Sequence, residues 1–277
     1  MDMNSTIKLN NGVEIPVIGL GVFRSEAGEE TELAVQYALE AGYKMIDTAT
    51  AYKNEESVAK GIKRAGARRE DIFITTKLSR GAQRDGRELE EFAESLKKLD
   101  TDYIDLYLIH WPIEDKKYVR AWKLLERLYA DGSVRAIGVS NFHKQHLDEL
   151  AKVSDIVPAV NQIELHPLMN QSELRTLCAQ RSIIVQAWSP LGGKGTTIID
   201  DNRIIGIGKK YGKSPAQVIL RWDVQLGINV FPKSTHRERV IENADIFDFE
   251  LSQEDMSVIN CMDINGRIGP DPDEPAY

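Results

Sequence analysis

Short apolar runs alternate with longer stretches in which hydrophobic residues recur at helical spacing, and the alternation continues along almost the whole chain. Ile7 to Leu9 and Val13 to Ile15 flank Asn10-Asn11-Gly12, which predicts an opening hairpin. Val17 to Leu20 is the next run. Helical spacing follows from Glu29 to Ala41, and Gly42 stops it as a C-terminal glycine does. Run 44–47 leads to a helix from Glu55 to Arg64, run 72–77 to a helix over 86–98, and run 104–110 to a helix over 118–130 ended by Asp131-Gly132. Run 134–139 precedes a helix over 144–152, and run 158–162 a helix over 171–180. After run 183–187 come two helical patterns, 201–211 and 215–225, the second opened by Ser214 as N-cap and Pro215 at the first helical position. Run 228–231 leads to a helix over 236–244, and Ser252-Gln253-Glu254-Asp255 opens a last helix with a capping-box pattern.

These are eight strand candidates, each followed by helix. Such regularity implies parallel strands buried on both faces, and eight units in a chain of 277 residues fit a (β/α)8 TIM barrel better than a doubly wound sheet. The expected organisation is a single unit over 1–277, with residues 1–15 as an N-terminal hairpin cap, extra C-terminal helices, and an irregular tail over 264–277 rich in Pro, Gly and acid. In such barrels chemistry sits at the C-terminal strand ends. Asp47, Lys77 and His110 end the second, third and fourth runs, and Tyr52 lies on the loop after the second. Three neighbouring strands therefore aim polar groups at one place.

Composition narrows the partners. The chain is 42% hydrophobic and 28% charged, ordinary for a soluble globular protein, and no apolar run approaches the roughly 20 residues of a membrane span. The N-terminus has no basic and apolar leader pattern. Cys178 and Cys261 are far apart and suggest no disulfide framework, so a reducing cytoplasm is the expected setting. A net charge of −8 argues against a general nucleic-acid binder. Basic residues nevertheless cluster in Lys233-Ser234-Thr235-His236-Arg237-Glu238-Arg239. His143 and His146 share a helix face without a clear third ligand, so no metal site is expected.

A carboxylate, a phenol, an ammonium and an imidazole at one barrel mouth form a proton-donating set. Free tyrosine, with a pKa of about 10, is a poor acid at neutral pH. An ammonium beside it favours the phenolate and is expected to lower that value, with Asp47 holding Lys77 charged. His110 is suited to donate a hydrogen bond to a carbonyl oxygen as charge develops there. Taken singly, each residue also reads as a cap or a structural strand-end group; four compatible roles at one mouth favour chemistry. The set supplies no hydride, so reduction would need a nicotinamide.

The segments Asp47-Thr48-Ala49-Thr50-Ala51-Tyr52-Lys53-Asn54-Glu55, Ile74-Thr75-Thr76-Lys77-Leu78 and Leu108-Ile109-His110-Trp111-Pro112 resemble the aldo-keto reductase superfamily, closest to its bacterial diketogluconate, aldehyde and glyoxal reductases. The likeness runs from Gly19-Leu20-Gly21 to Gly269-Pro270-Asp271-Pro272. It implies Tyr52 as proton donor, Lys77 and Asp47 as its tuning pair, and His110 as the group orienting a small carbonyl substrate. It further implies NADPH (NADP+ as product). Ser140, Asn141 and Gln162 would hold the carboxamide, Trp188 would stack on the nicotinamide, and the loop with Ser189 and Leu191 would cover the pyrophosphate. Lys233, Ser234, Thr235 and Arg239 would take the 2′-phosphate, and Glu242 and Asn243 the adenine. Gly21, Val22, Phe23 and Asp47 complete the expected cofactor set. Phe23, Tyr52, His110 and Trp111 form the expected substrate set. Relatives of this type are often monomers, which is the expectation here.

Two common nucleotide motifs fail. Arg24 stands where G-x-G-x-x-G needs its third glycine, and Gly195 replaces the Ser/Thr of a Walker motif after Gly192-Gly193-Lys194. One local departure stands out. Many members of the family carry Trp and Asn after the Lys77-Leu78 segment, and this chain has Ser79 and Arg80. A wider or more polar mouth is expected, tolerant of bulkier or anionic carbonyl compounds. Two other classes stay in view: a non-catalytic NADP(H)-binding regulatory protein of this fold, which the complete tetrad opposes, and a metal-dependent barrel hydrolase, which the missing ligand cluster opposes.

Overall fold

The computed structural model describes residues 1–193 and 196–274. Ten strands and eleven α-helices follow one another among them. β1 (Thr6–Lys8) and β2 (Glu14–Pro16) form an antiparallel hairpin, with Ile7 opposite Ile15. The strands β3 (Leu20–Gly21), β4 (Met45–Asp47), β5 (Phe73–Leu78), β6 (Ile104–Ile109), β7 (Val134–Ser140), β8 (Val160–Glu164), β9 (Ile184–Trp188) and β10 (Asn229–Val230) pair in sequence order, all parallel. The two edges also meet. Ile18 bridges Val230 in parallel, Gly19 N–H donates to the Val230 carbonyl at 2.9 Å, and Val230 N–H donates to that of Val17 at 3.2 Å. Eight parallel strands with intervening helices are consistent with a (β/α)8 fold.

The helices are α1 (Glu29–Glu40), α2 (Glu55–Arg64), α3 (Arg80–Asp85), α4 (Glu88–Leu99), α5 (Lys117–Ala130), α6 (Lys144–Ala151), α7 (Ser172–Gln180), α8 (Asn202–Tyr211), α9 (Pro215–Gln225), α10 (Arg237–Ala244) and α11 (Gln253–Asn260). Their ends follow local chemistry. Ser214 caps α9 in a reciprocal box with Gln217, and the Ser252 side chain accepts from Asp255 N–H at the start of α11. Two expectations need correction. The helix expected over 86–98 is α4, but an unexpected short helix, α3, precedes it: Ser79 caps its start and Gly86, at φ 74°, ends it in the left-handed region. The expected runs 17–20 and 228–231 contract to the two-residue strands β3 and β10, with Ile18 joined only by an isolated bridge. The tail over 264–274 has neither helix nor strand, and 275–277 lie outside the described residues, as do Lys194 and Gly195.

Period-two alternation divides the buried residues into two cores. Met45, Phe73, Leu106, Leu108, Ala136 and Val160 pack together with Leu9 and Ile15 of the hairpin region, filling the interior and closing one end. Ile46, Ile74, Tyr107, Ile109 and Val139 face the other way, into the larger layer beneath the helices. Following the inward alternation to the strand ends, Met45 leads to Asp47, Phe73 to Lys77, Leu108 to His110, and Val160 to Gln162. A slip of one residue would send all of these outward. Among the described residues no helix is long and apolar enough to cross a membrane.

Candidate active site

Lys77, near the end of β5, is fully buried. Its Nζ donates to Asp47 Oδ1 at 2.6 Å, to the Thr48 carbonyl at 2.8 Å and to Tyr52 Oη at 3.3 Å. Three acceptors match the three hydrogens of an ammonium, which is how a buried charge is tolerated. Tyr52 ends a single 3-10 turn, Thr50–Tyr52, after which Lys53 turns left-handed at φ 58°. Its ring meets His110 edge-on at 5.6 Å between centroids and lies 4.9 Å from Phe23. The four residues thus converge as the strand-end pattern predicts.

The electrostatics differ from expectation at one point. Tyr52 sits well above its ordinary pKa, because burial disfavours a phenolate and the Asp47 carboxylate repels it. Lys77 was expected to lower it; burial and the Asp47 charge both act the other way. Lys77 is itself pulled down by burial, against the opposing pull of Asp47, and Asp47 is pushed up by burial. The phenol is therefore held protonated, the state a proton donor needs. His110 falls well below the usual histidine value through burial, then through the charges of Lys77 and Arg80. It is a neutral imidazole with one N–H to give.

A row of buried amides continues from Asp47 through the interior. Gln162 Nε2 donates to Asp47 Oδ2 at 2.8 Å and to Gln186 Oε1 at 3.1 Å. Gln186 Nε2 donates to Asn229 Oδ1 at 2.6 Å, and Asn229 Nδ2 to the Pro16 and Val17 carbonyls at 2.5 and 3.1 Å. Gln186 and Asn229 were not anticipated; a polar residue in an otherwise apolar central strand was their only signal. At the end of β7, Asn141 Nδ2 donates to the His110 carbonyl and to Ser140 Oγ, each at 3.0 Å, while Trp188 Nε1 donates to Asn141 Oδ1 at 2.8 Å. Asn141 adopts φ 63°, a left-handed conformation asparagine tolerates well. The donors of both side-chain amides are thus spent within the protein. Their oxygens retain acceptor capacity.

The rest of the expected cofactor set is spread around the mouth. Gly21 lies at the meeting of the sheet edges, where a Cβ would stand 2.6 Å from the Phe231 carbonyl. Val22 is fully buried in the outer core, its N–H donating to the Asp47 carbonyl at 3.0 Å, whereas Phe23 is 50% exposed. Asn54 fixes this segment: its Nδ2 donates to the carbonyls of Val22 and Ser25 at 2.9 and 3.3 Å, and its Oδ1 accepts from Thr48 at 2.9 Å. Ser189, at φ 52°, and Leu191 are half-buried on the loop after β9. Lys233, Ser234 and Thr235 precede α10; Ser234 Oγ is turned onto His236. Lys233 and Arg239 are exposed and have no acidic partner among the described residues. Glu242 is half-buried and Asn243 buried on the same helix.

The tail supplies a feature the sequence concealed. Glu164, at the end of β8, accepts from Ile268 N–H at 2.5 Å and Gly269 N–H at 2.9 Å, and lies 3.1 Å from His166 Nε2. A Cβ on Gly269 would stand 2.4 Å from the Trp188 ring, so the tail packs directly on that indole. Further along, Asp273 bonds His143 at 2.7 Å and also accepts from Gln145. His143, Asp271 and Asp273 come close enough to share an ion, a grouping no local spacing reveals. Their carboxylates already serve the tail: Asp271 Oδ1 accepts from Asp273 N–H at 3.0 Å.

Eight parallel strands bring the buried Lys77 and Asp47 together with the half-buried Tyr52 and His110, near a basic helix start, an arrangement consistent with an oxidoreductase of the (β/α)8 class. The Aldo/keto reductase family model matches residues 17–264. The chain is 52% identical over 272 residues to glyoxal reductase of Bacillus subtilis, covering 98% of both chains. To methylglyoxal reductase DkgA of Escherichia coli it is 45% identical over 271 residues, again covering 98% of both. A solved structure of a Gox0644 mutant in complex with NADPH superposes with a TM-score of 0.93 at 41% identity, covering 99% of each chain. The chain belongs to the aldo/keto reductase family and is an oxidoreductase of it.

Proposed function

We propose that this protein reduces small aldehydes, ketones and dicarbonyls to alcohols with NADPH, with Tyr52 as proton donor. The observation that carries this is the fully buried Lys77 bonded at once to Asp47 and Tyr52 beside a neutral His110. A bound reduced nicotinamide supplies the hydride that adds to the carbonyl carbon. His110 donates its N–H to the carbonyl oxygen and orients it. As negative charge develops, Tyr52 Oη transfers its proton to that oxygen. Lys77 stabilises the phenolate left behind, and Asp47 keeps Lys77 in place. The buried setting strengthens each of these contacts.

The residues present fit the cofactor. The Gln162 and Asn141 oxygens have lone pairs left for a carboxamide NH2, with Ser140 and Asp47 adjoining. Trp188 offers a ring face, and Gly21, the Val22 backbone and Phe23 line the approach beside Ser189 and Leu191. Lys233, Thr235 and Arg239 place unpaired donors at a helix N-terminus, suited to the 2′-phosphate, with Ser234, Glu242 and Asn243 beside them. The likeness to an NADPH complex supports this choice. Phe23, Tyr52, His110 and Trp111 bound the carbonyl pocket. The same reading makes the whole chain one (β/α)8 barrel working as a cytoplasmic monomer, floored by the hairpin; its two unpaired cysteines accord with a reducing compartment.

NADPH oxidation with glyoxal and methylglyoxal tests the reading. Tyr52→Phe should lower kcat about 10²- to 10⁴-fold while NADPH binding, read by fluorescence titration, survives. Undiminished turnover in that variant would overturn the mechanism. Absence of turnover in the wild type would leave a cofactor-binding protein without catalysis.

A further inference from the structure

Seven cationic side chains lie against aromatic rings among the described residues. Five also hold an acceptor: Arg69 has Asp105, Lys77 has Asp47, Lys210 has Asp255, Lys213 has Asp245, and Arg221 has Gln225. The other two, Arg24 over Phe23 at 5.0 Å and Arg80 over Trp111 at 4.5 Å, have no acidic partner and both rings belong to the mouth. Arg80 is the better placed. It is half-buried where Arg24 is exposed, and Trp111 directly follows His110.

Its position is fixed from behind. Ser79 N–H and Oγ bond the two Glu91 oxygens at 2.6 and 2.5 Å, so the residue before Arg80 is clamped onto α4. Gln83 of α3 donates to the Trp111 carbonyl at 3.3 Å, which ties helix and ring together. Glu114, an acid whose charge reaches Arg80, is engaged in an ion pair with Arg84 at 2.8 Å. A guanidinium that is partly desolvated, stacked and, among the described residues, in no ion pair of its own is set up to take an anion. Its charge is already felt at the His110 imidazole.

We propose that Arg80 is a specificity-determining residue that pairs with a carboxylate carried by the carbonyl substrate, so that aldehydes and ketones of organic acids are preferred over neutral ones of the same shape. This rests on the reductase reading above.

The test compares para-carboxybenzaldehyde with para-nitrobenzaldehyde, its neutral isostere, as substrates with NADPH. The quantity read is the ratio of their kcat/KM values. Arg80→Met should lower the ratio about tenfold, mainly through KM for the carboxylate, and Arg80→Lys should restore most of it. In the wild type the ratio should fall as salt rises; in Arg80→Met it should not. Equal ratios in the wild type and Arg80→Met, with the nitro compound turned over by both, would overturn this proposal alone. Should Arg80→Met not fold, a wild-type ratio insensitive to salt overturns it equally. Turnover of neither aldehyde by the wild type would overturn the reductase reading and this inference with it.

Discussion

Lys77 has no exposed surface, and Asp47 is the carboxylate bonded to it. Removing one partner of such a buried pair strands the other, at a cost of about 3–5 kcal/mol. Asp47→Asn keeps the shape and one oxygen but deletes the charge. It should lower the urea midpoint markedly. Because Asp47 also raises Tyr52, the same substitution should move phenolate formation to lower pH, followed by ultraviolet absorbance in a pH titration. A phenol titrating at unchanged pH would contradict the assigned cause. The positions of these residues were legible because each ends, or closely follows, an apolar run. Their proton affinities were not. Sequence places an ammonium and a phenol at one mouth; only the structure shows that burial and the Asp47 charge raise the phenol.

At the scale of elements, the tail and α3 show where local pattern stops informing. Glu164 reads as a polar residue ending a strand, and its partners, Ile268 and Gly269, lie about a hundred residues on. Burial pushes its carboxyl up, yet the bonds from His166 and those two N–H groups hold it below the ordinary glutamate value. Its sign is that of a depressed acid. The stabilisation is complete above the unfolded pKa of about 4.3 and is lost as pH falls through the lower folded value. Hydrogen exchange at Ile268 and Gly269, taken relative to the intrinsic amide rate at each pH, should therefore accelerate on acidification through that range. Glu164→Ala should accelerate it at neutral pH and cost about 2–3 kcal/mol. Protection unchanged in that variant would mean something else holds the tail. α3 has its signals in plain view, Ser79 before it and Gly86 after it, whereas the family likeness alone points to Ser79 and Arg80 as pocket residues. Ser79 proves to be a cap and a clamp, and Arg80 faces Trp111.

Across the whole molecule, β-α order and parallel pairing followed directly from the alternation of runs. How the sheet edges meet did not, since strand registers carry no local signature. That meeting is tight at Gly21, where a Cβ would stand 2.6 Å from a backbone oxygen that no rotamer moves aside. Gly21→Ala should destabilise by about 1–3 kcal/mol, seen as a lower urea midpoint at unchanged slope. A midpoint equal to wild type would show that the edges part easily.

The buried amides also settle an orientation. The Pro16 and Val17 carbonyls only accept, so Asn229 must turn its NH2 toward the hairpin and its oxygen toward Gln186. Gln186 must then offer oxygen to Gln162, and Gln162 must spend its hydrogens on Gln186 and on Asp47. Each link leaves its neighbour a single choice, as in a row of one-way switches. The first setting is made beside the hairpin and the last appears beside the Asp47 carboxylate, so the hairpin helps decide that Gln162 has an oxygen, not an amino group, left to give.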